Sequence, residues 1–454
     1  MNRLMRYGII LGLCLVVRVA WWLTFQPWAD DYSVRMAMGG DPKAYLHFAT
    51  NLHQGLGYRW LSEDFLNDFP FWRWWYGEYE AIWLPGYPAF LAGVIALCGS
   101  ASLQMAIAVQ IICSVLACAL LMRTGEILHS THLSTVIGIG FSLDPLLANL
   151  SLLLLSESVY ILCLSVWMYL TARIIVSTHS TTRWYWLLLN AGALAAATWI
   201  RVGTVALVPG VMLWLVWIWG QQSLPIKHIV SLGTAWGLCF SLLLVPWYMR
   251  NYRLYHTWSL SCIGSFSLLA GLSFRVPSAE RYEEYRRLFA LAETQARNDG
   301  RIPMSLNPFE RARYWRQTAL REYRTDWSGA LYAHLKRMGA TLLFSDYANW
   351  RRFSGKDWNS SLLTRFAWGW FAGWHLLFLG VGMVALGAIV RRQIPKPLRL
   401  YAVGAIALGM LSIFIIINNA EPRGRVTAVL LCLPLMAYAL LRFHSKWSEG
   451  ARKF

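Results

Sequence analysis

Charge is what this 454-residue chain has least of: Asp, Glu, Lys and Arg make up 14% of it, against 57% hydrophobic residues. Apolar runs of about 20 residues recur along most of its length, which a soluble protein does not need. A soluble globular fold is thereby excluded, and an all-α polytopic membrane protein is expected. Cysteine is scarce too, eight in all with no C-x-x-C pair, so neither a thiolate metal site nor a disulfide framework is expected. Cys98 and Cys262 both fall on the expected outer side, but no bridge is expected between them. His129 and His132 have metal-like spacing yet lack acidic or thiol company, so no zinc site is expected there. A small-x-small cleavage pattern is missing after the first apolar run, which therefore reads as a retained span with a cytoplasmic N-terminus. No internal repeat of the transporter kind is visible.

What is present is a succession of about ten candidate spans. They fall near 5–25, 101–122, 133–150, 155–176, 184–199, 202–219, 229–248, 367–390, 401–418 and 425–442. Connectors carrying Arg123, Arg173, Arg183, Lys227 and Arg391 lie on the side of the N-terminus if segment 84–98 does not cross. That segment opens with two prolines and is placed as a helix lying at the outer interface. The chain then divides into a transmembrane core, 1–250, an outer-face helical segment, 251–366, and C-terminal spans, 367–454. A first outer loop, 26–83, belongs to the core. Within the outer segment, Arg281 to Gly300 and Pro308 to Phe344 show amphipathic helical spacing.

Net charge is +18. Part of it is the positive-inside bias, but many arginines lie in the long loops, where topology does not demand them. An anionic partner such as a lipid phosphate would account for that surplus; no nucleic acid is expected as a partner.

The first outer loop contains GGDPKAYLHFATNLHQGLGYRW, residues 39–60. Apolar residues recur there at helical intervals, predicting a surface helix over 43–55. Asp41 stands at its start with Pro42 at the first helical position, and Gly55 and Gly57 end it. Capping alone would explain Asp41. Further ionisable groups stand where a bilayer makes them costly: Asp144, Glu157, Arg201, Arg250, Glu421, Arg423 and Arg425. The expected topology brings all of them to the outer side. Arginines at one level suit a phosphate or diphosphate, and carboxylates beside them suit a general base. Mutual pairing, Glu157 with Arg201 or Glu421 with Arg423, is the competing structural explanation.

Several stretches, in order, resemble the GT-C superfamily of membrane glycosyltransferases. The first loop contributes Asp41, Tyr45, Ala49, Asn51, Gly55, Gly57 and Tyr58; then come LPGYPAFLAG with Tyr87, LDPLLANLSLLLLSES and TWIRVGTVALVP. VPWYMRNYRLY is the most specific, and AEPRGRVTAVLL stands near the end. The branch most similar uses polyprenyl-phosphate sugars and includes protein O-mannosyltransferases and the lipid A aminoarabinose transferase. The chain departs from it in having Asp41-Pro42 where an acidic pair is usual, and Arg423-Gly424-Arg425 without an aromatic.

The resemblance implies sugar transfer, with inversion, to a glycan, lipid or protein acceptor on the periplasmic face of a bacterial inner membrane. It implies Asp41 as catalytic base and Arg250, Arg201, Arg423 and Arg425 as donor-phosphate ligands. Glu157, Asp144, Glu421, Tyr45 and Tyr87 would be supporting polar groups. No metal or other cofactor is expected, since a single acid stands where metal users have more. Two other readings are a lipid or polysaccharide flippase and a sugar-polymer ligase with a diphosphate-linked donor. The Trp-rich segment Phe69 to Pro85 is read first as an interfacial aromatic belt, and second as a source of sugar specificity.

Overall fold

The computed structural model describes residues 2–25, 41–59, 81–98, 103–177, 180–343, 362–390, 394–416 and 426–451, which are helical with no strand among them. Within a bilayer a helix satisfies its own backbone groups, and the apolar runs here take that solution. In chain order the first helices are α1 (Arg3–Phe25), α2 (Asp41–His53), α3 (Gly86–Cys98), α4 (Leu103–Leu128), α5 (Thr131–Leu143) and α6 (Pro145–Leu150). They continue with α7 (Glu157–Val176), α8 (Ser180–Ile200), α9 (Val208–Gln221) and α10 (Ile226–Tyr255). A second group follows: α11 (Ile263–Gly271), α12 (Arg281–Asn298), α13 (Pro308–Thr325) and α14 (Trp327–Leu343). The last three are α15 (Leu362–Val390), α16 (Lys396–Ile416) and α17 (Val426–Ala451).

Among the described residues, six segments are long and apolar enough to cross a membrane: Arg3–Thr24, Gln104–Leu128, Glu157–Val176, Val202–Gln221, Ile226–Tyr255 and Lys396–Ile413. The chain is thus an integral membrane protein. Expected spans at 184–199, 367–390 and 425–442 fall on α8, α15 and α17. The expected span at 133–150 is corrected: the helix is broken at Asp144 into α5 and α6. Pro145 supplies no N–H and pushes the residue before it out of helical geometry, so Asp144 is extended at ψ 115°. Asp144 Oδ1 instead accepts the Leu147 amide at 3.0 Å and caps α6.

The break exposes the last carbonyls of α5, and a buried cation answers them. Arg18 of α1, fully buried, lies within 3.4–3.5 Å of the Ser142 and Phe141 carbonyls and donates to Ser114 Oγ at 2.7 Å. A positive charge at a helix C-terminus is favourable in itself. Deeper in the bundle, Asn190 Oδ1 accepts from Trp167 and Trp236 at 3.1 and 2.9 Å, so α7, α8 and α10 are joined by one satisfied polar knot. α8 also comes close to α3: a Cβ on Gly86 would lie 2.5 Å from the Trp199 carbonyl, so only glycine allows that approach.

The helix expected over 43–55 forms as α2, Asp41–His53, starting at Asp41 itself, one residue earlier than a cap position would have it, and ending two residues sooner than expected. Gly55 and Gly57 end it with φ of +74° and +80°. α2 packs along α3. The expected amphipathic stretches become α12, α13 and α14, and Asn307 opens α13 with a capping box. All eight cysteines are free thiols, Cys98 and Cys262 among them. Most of the first outer loop and most of the Trp-rich segment lie outside the described residues.

Candidate functional site

Helix α2 brings its first turn against the start of α7 and the end of α8. Tyr45 of α2 is buried there, and burial chiefly pushes its phenol well above the usual range. The negative fields of Asp41 and Glu157 act in the same direction, while Arg201 and a hydrogen bond with Ser156 oppose them. One phenol is therefore within electrostatic reach of Asp41, Glu157 and Arg201, three groups far apart in sequence.

Glu157 is the first residue of α7 and is 1% exposed. Arg201, just after α8, reaches it with Nη1 at 2.5 Å from Oε1 and also lies over the Tyr160 ring, 5.6 Å from its centroid. The structural pairing read from sequence is thus present for Glu157 and Arg201. A buried carboxylate needs such a partner to stay ionised.

The segment 151–156, which delivers Glu157, is held by Gln110 of α4. Its Nε2 donates to the Ser151 and Leu153 carbonyls at 3.2 and 2.8 Å. Its Oε1 accepts from the Tyr87 hydroxyl at 2.6 Å, and the Tyr87 ring meets Tyr45 edge-on at 4.9 Å. Tyr87 is therefore a support beneath Tyr45.

Arg250, near the end of α10, occupies the next layer. It lies 4.4 Å from the centroid of the Trp247 ring, donates to Asn251 Oδ1 at 2.8 Å, and reaches the Tyr58 carbonyl at 3.3 Å. These contacts orient the guanidinium. Tyr58 in turn stacks on Phe48 of α2 at 4.2 Å, so Arg250 joins the same helix as Asp41. The chain after α10 is fastened here as well: Asn251 Nδ2 donates to the Ser259 carbonyl at 2.7 Å, and the Cys262 amide to the Ala81 carbonyl at 2.9 Å.

Asp41, Tyr45, Tyr87, Glu157, Arg201 and Arg250 thus all lie around α2. Asp144 has a different occupation, since its Oδ2 accepts from Trp374 Nε1 at 2.8 Å while Oδ1 caps α6. Glu421, Arg423 and Arg425 lie outside the described residues. Sequence reasoning missed Gln110 and Ser156; a glutamine within an apolar run was the available signal for the first. Among the described residues no group of three His, Cys, Asp or Glu side chains could hold a metal ion.

No protein-family model matches the sequence, and no curated protein matches it significantly. Solved structures do match. The chain resembles the archaeal oligosaccharyltransferase AglB from Archaeoglobus fulgidus in complex with an inhibitory peptide and a dolichol-phosphate, with TM-score 0.55 and 11% identity. That alignment covers 99% of this chain and 51% of AglB. The Archaeoglobus fulgidus enzyme tethered to an acceptor peptide is similar at TM-score 0.52 and 11% identity, over 96% of this chain and 49% of that one. Its complex with Zn and sulfate gives 0.52 and 10%, over 97% and 50%. The chain therefore spans about half the length of the structures it matches, and the likeness is one of fold.

Proposed function

We propose that this chain is a membrane glycosyltransferase that moves a sugar from a polyprenyl-phosphate-linked donor to an acceptor, with inversion and with Asp41 as general base. The observation that carries the reading is the gathering of Asp41, the Glu157–Arg201 pair and Arg250 around one surface helix at the membrane-span ends. The dolichol-phosphate in the AglB complex supports a lipid-phosphate donor for this fold. The motif resemblance supports the branch of protein mannosyltransferases and the lipid A aminoarabinose transferase. It also supports an inner membrane of a bacterium, with the site on the periplasmic face.

In this reading Asp41 accepts the proton of the acceptor hydroxyl or amine as that group attacks the anomeric carbon. The bond from that carbon to the phosphate oxygen breaks, and its electron pair leaves with the lipid phosphate. A departing phosphate needs charge neutralisation more than it needs a proton, and Arg250 and Arg201 supply it. Glu157 holds Arg201 in place.

The test uses purified full-length protein in detergent, given polyprenyl-phosphate sugars and candidate acceptors, with free polyprenyl phosphate measured. Asp41→Asn is expected to lower turnover by about 10²–10⁴-fold, the usual worth of a positioned base, with donor binding retained. A fully active Asn variant would remove Asp41 from the role. Release of diphosphate instead would identify a diphosphate-donor ligase. Lipid movement across vesicles without sugar transfer would identify a flippase.

A further inference from the structure

Helices α12 and α13 treat their charges differently. Along α12, Arg286, Arg287 and Arg297 pair with Glu283, Glu284 and Glu293 at 3.6, 2.7 and 3.7 Å. On α13, Arg313, Arg316, Arg321 and Arg324 are exposed, and among the described residues none has an ion-pair partner. The acids of α13 are engaged elsewhere. Glu310 accepts the Asn307 amide at 3.0 Å in the capping box, and Glu322 is bound by Arg275 and Arg287 at 2.6 and 2.9 Å. A merely solvated helix face mixes its signs; this one carries arginine with no acid left to answer it.

The position of that face is fixed by its first residue. Phe309, Arg313, Arg316, Leu320 and Arg324 recur at intervals of three and four and so share one face. Phe309 meets the ring of Tyr255 at 5.4 Å, and Tyr255 is the last residue of α10, a membrane-spanning helix. The basic face therefore starts where a span ends. Beside it Tyr252 and Trp258 stack at 4.8 Å, both exposed, as aromatic residues at a bilayer surface are. Past Asp326 the exposed surface turns apolar: Trp327, Leu331 and Leu335 of α14 stand four residues apart and outward, Trp327 at 68% exposure.

We propose that this surface docks on the anionic phospholipid headgroups of the surrounding bilayer. Arg313, Arg316, Arg321 and Arg324 hold lipid phosphates, and the Trp327–Leu331–Leu335 stripe seats among the upper acyl chains. The arginine fork matches two phosphate oxygens at once, which a zwitterionic surface offers only beside a competing cation. A soluble polyanion would engage the arginines but leave the apolar stripe in water. An anionic bilayer satisfies both halves of the surface.

The test measures which lipids stay with the full-length protein, purified from mixed micelles of equal phosphatidylglycerol and phosphatidylcholine. Wild type is expected to retain the anionic lipid with at least fivefold enrichment, falling as salt is raised. The variant Arg313→Gln/Arg316→Gln/Arg321→Gln/Arg324→Gln is expected to lose most of that enrichment. Its unfolding temperature in phosphatidylcholine alone should match wild type, which shows that the fold is intact. Arg286→Gln/Arg297→Gln, two charges removed from α12, should leave the preference in place. Equal enrichment in wild type and the quadruple variant would overturn the proposal. So would a soluble acidic polymer that displaces the anionic lipid at equimolar phosphate, which would point to a polyanionic partner.

Discussion

At one end of the bundle Arg3, Arg6 and Arg123 all converge on the single carboxylate of Glu126, whereas around α2 the charges are spread over several elements and spaced by aromatic rings. The two places lie at opposite ends of α4. Gln110 holds the segment before Glu157, and Glu126 stands further along the same helix, about 24 Å away at 1.5 Å per residue. At the Glu126 end a single carboxylate gathers three guanidiniums from helix ends adjacent in the fold. At the α2 end the Glu157–Arg201 pair is mutual, but Arg250 is oriented by Trp247, Asn251 and a carbonyl. One carboxylate that gathers three guanidiniums ties helix ends together, whereas around α2 the charged groups are held apart on separate elements by rings and carbonyls.

That contrast can be broken by removing one partner at each end. Arg201→Gln strands Glu157 in a nearly fully buried place, and about 3–5 kcal/mol of stability should be lost in denaturant or thermal unfolding. The double variant Arg201→Gln/Glu157→Gln should recover most of it. Glu126→Gln is expected to cost less, about 1–3 kcal/mol, because Arg3 and Arg123 reach water on their own and only the buried Arg6 loses its carboxylate. Equal losses from Arg201→Gln and Glu126→Gln would mean that both ends are only anchors.

Arg250→Ala sharpens the comparison from the side of binding. Loss of a charge-assisted contact should weaken donor affinity by about 10–100-fold, read by titration of a polyprenyl-phosphate sugar. An unchanged affinity would move the phosphate site elsewhere. Tyr87→Phe is expected to cost about 1–3 kcal/mol, since it leaves the Gln110 oxygen buried without its hydroxyl donor. If turnover falls together with stability in that variant, the Gln110 clamp on segment 151–156 positions Glu157 for the site.

The smallest effect is one of pH. In the α12–α13 pair burial works against ionisation of Glu284 and Glu322, but hydrogen bonds from Arg287 and Arg275 outweigh it and hold both below the usual carboxylate range. A carboxylate whose native pKa lies below its unfolded value adds stability above the unfolded value, near 4.3, and loses it as pH falls through the native one. Unfolding of the 263–343 segment should therefore become easier below about pH 4.3, most visibly at low salt, as followed by hydrogen exchange. No pH dependence there would mean that the network contributes nothing.

Much of this was legible locally. Asp41, Pro42, Gly55 and Gly57 bound α2 because capping, a fixed φ and left-handed turns act within a few residues. Hydropathy located the long spans for the same reason. It failed at 133–150 because an average over an apolar window does not register one Asp-Pro step, although that step is itself a helix-start signal. The hold of Gln110 on the Ser151 and Leu153 carbonyls could not be read, since its acceptors are backbone atoms of another segment.

By itself the sequence determined a helical membrane protein with a short acid-led helix after its first span, because backbone satisfaction in lipid and local helix signals are decided over a turn or a span. It also supplied the candidates, since an ionisable group at a bilayer is conspicuous wherever it stands. Which of them meet was decided only in three dimensions. Tyr45 comes to lie among Asp41, Glu157 and Arg201, and Arg250 reaches α2 through Tyr58, because helix packing sets those distances and spacing along the chain does not.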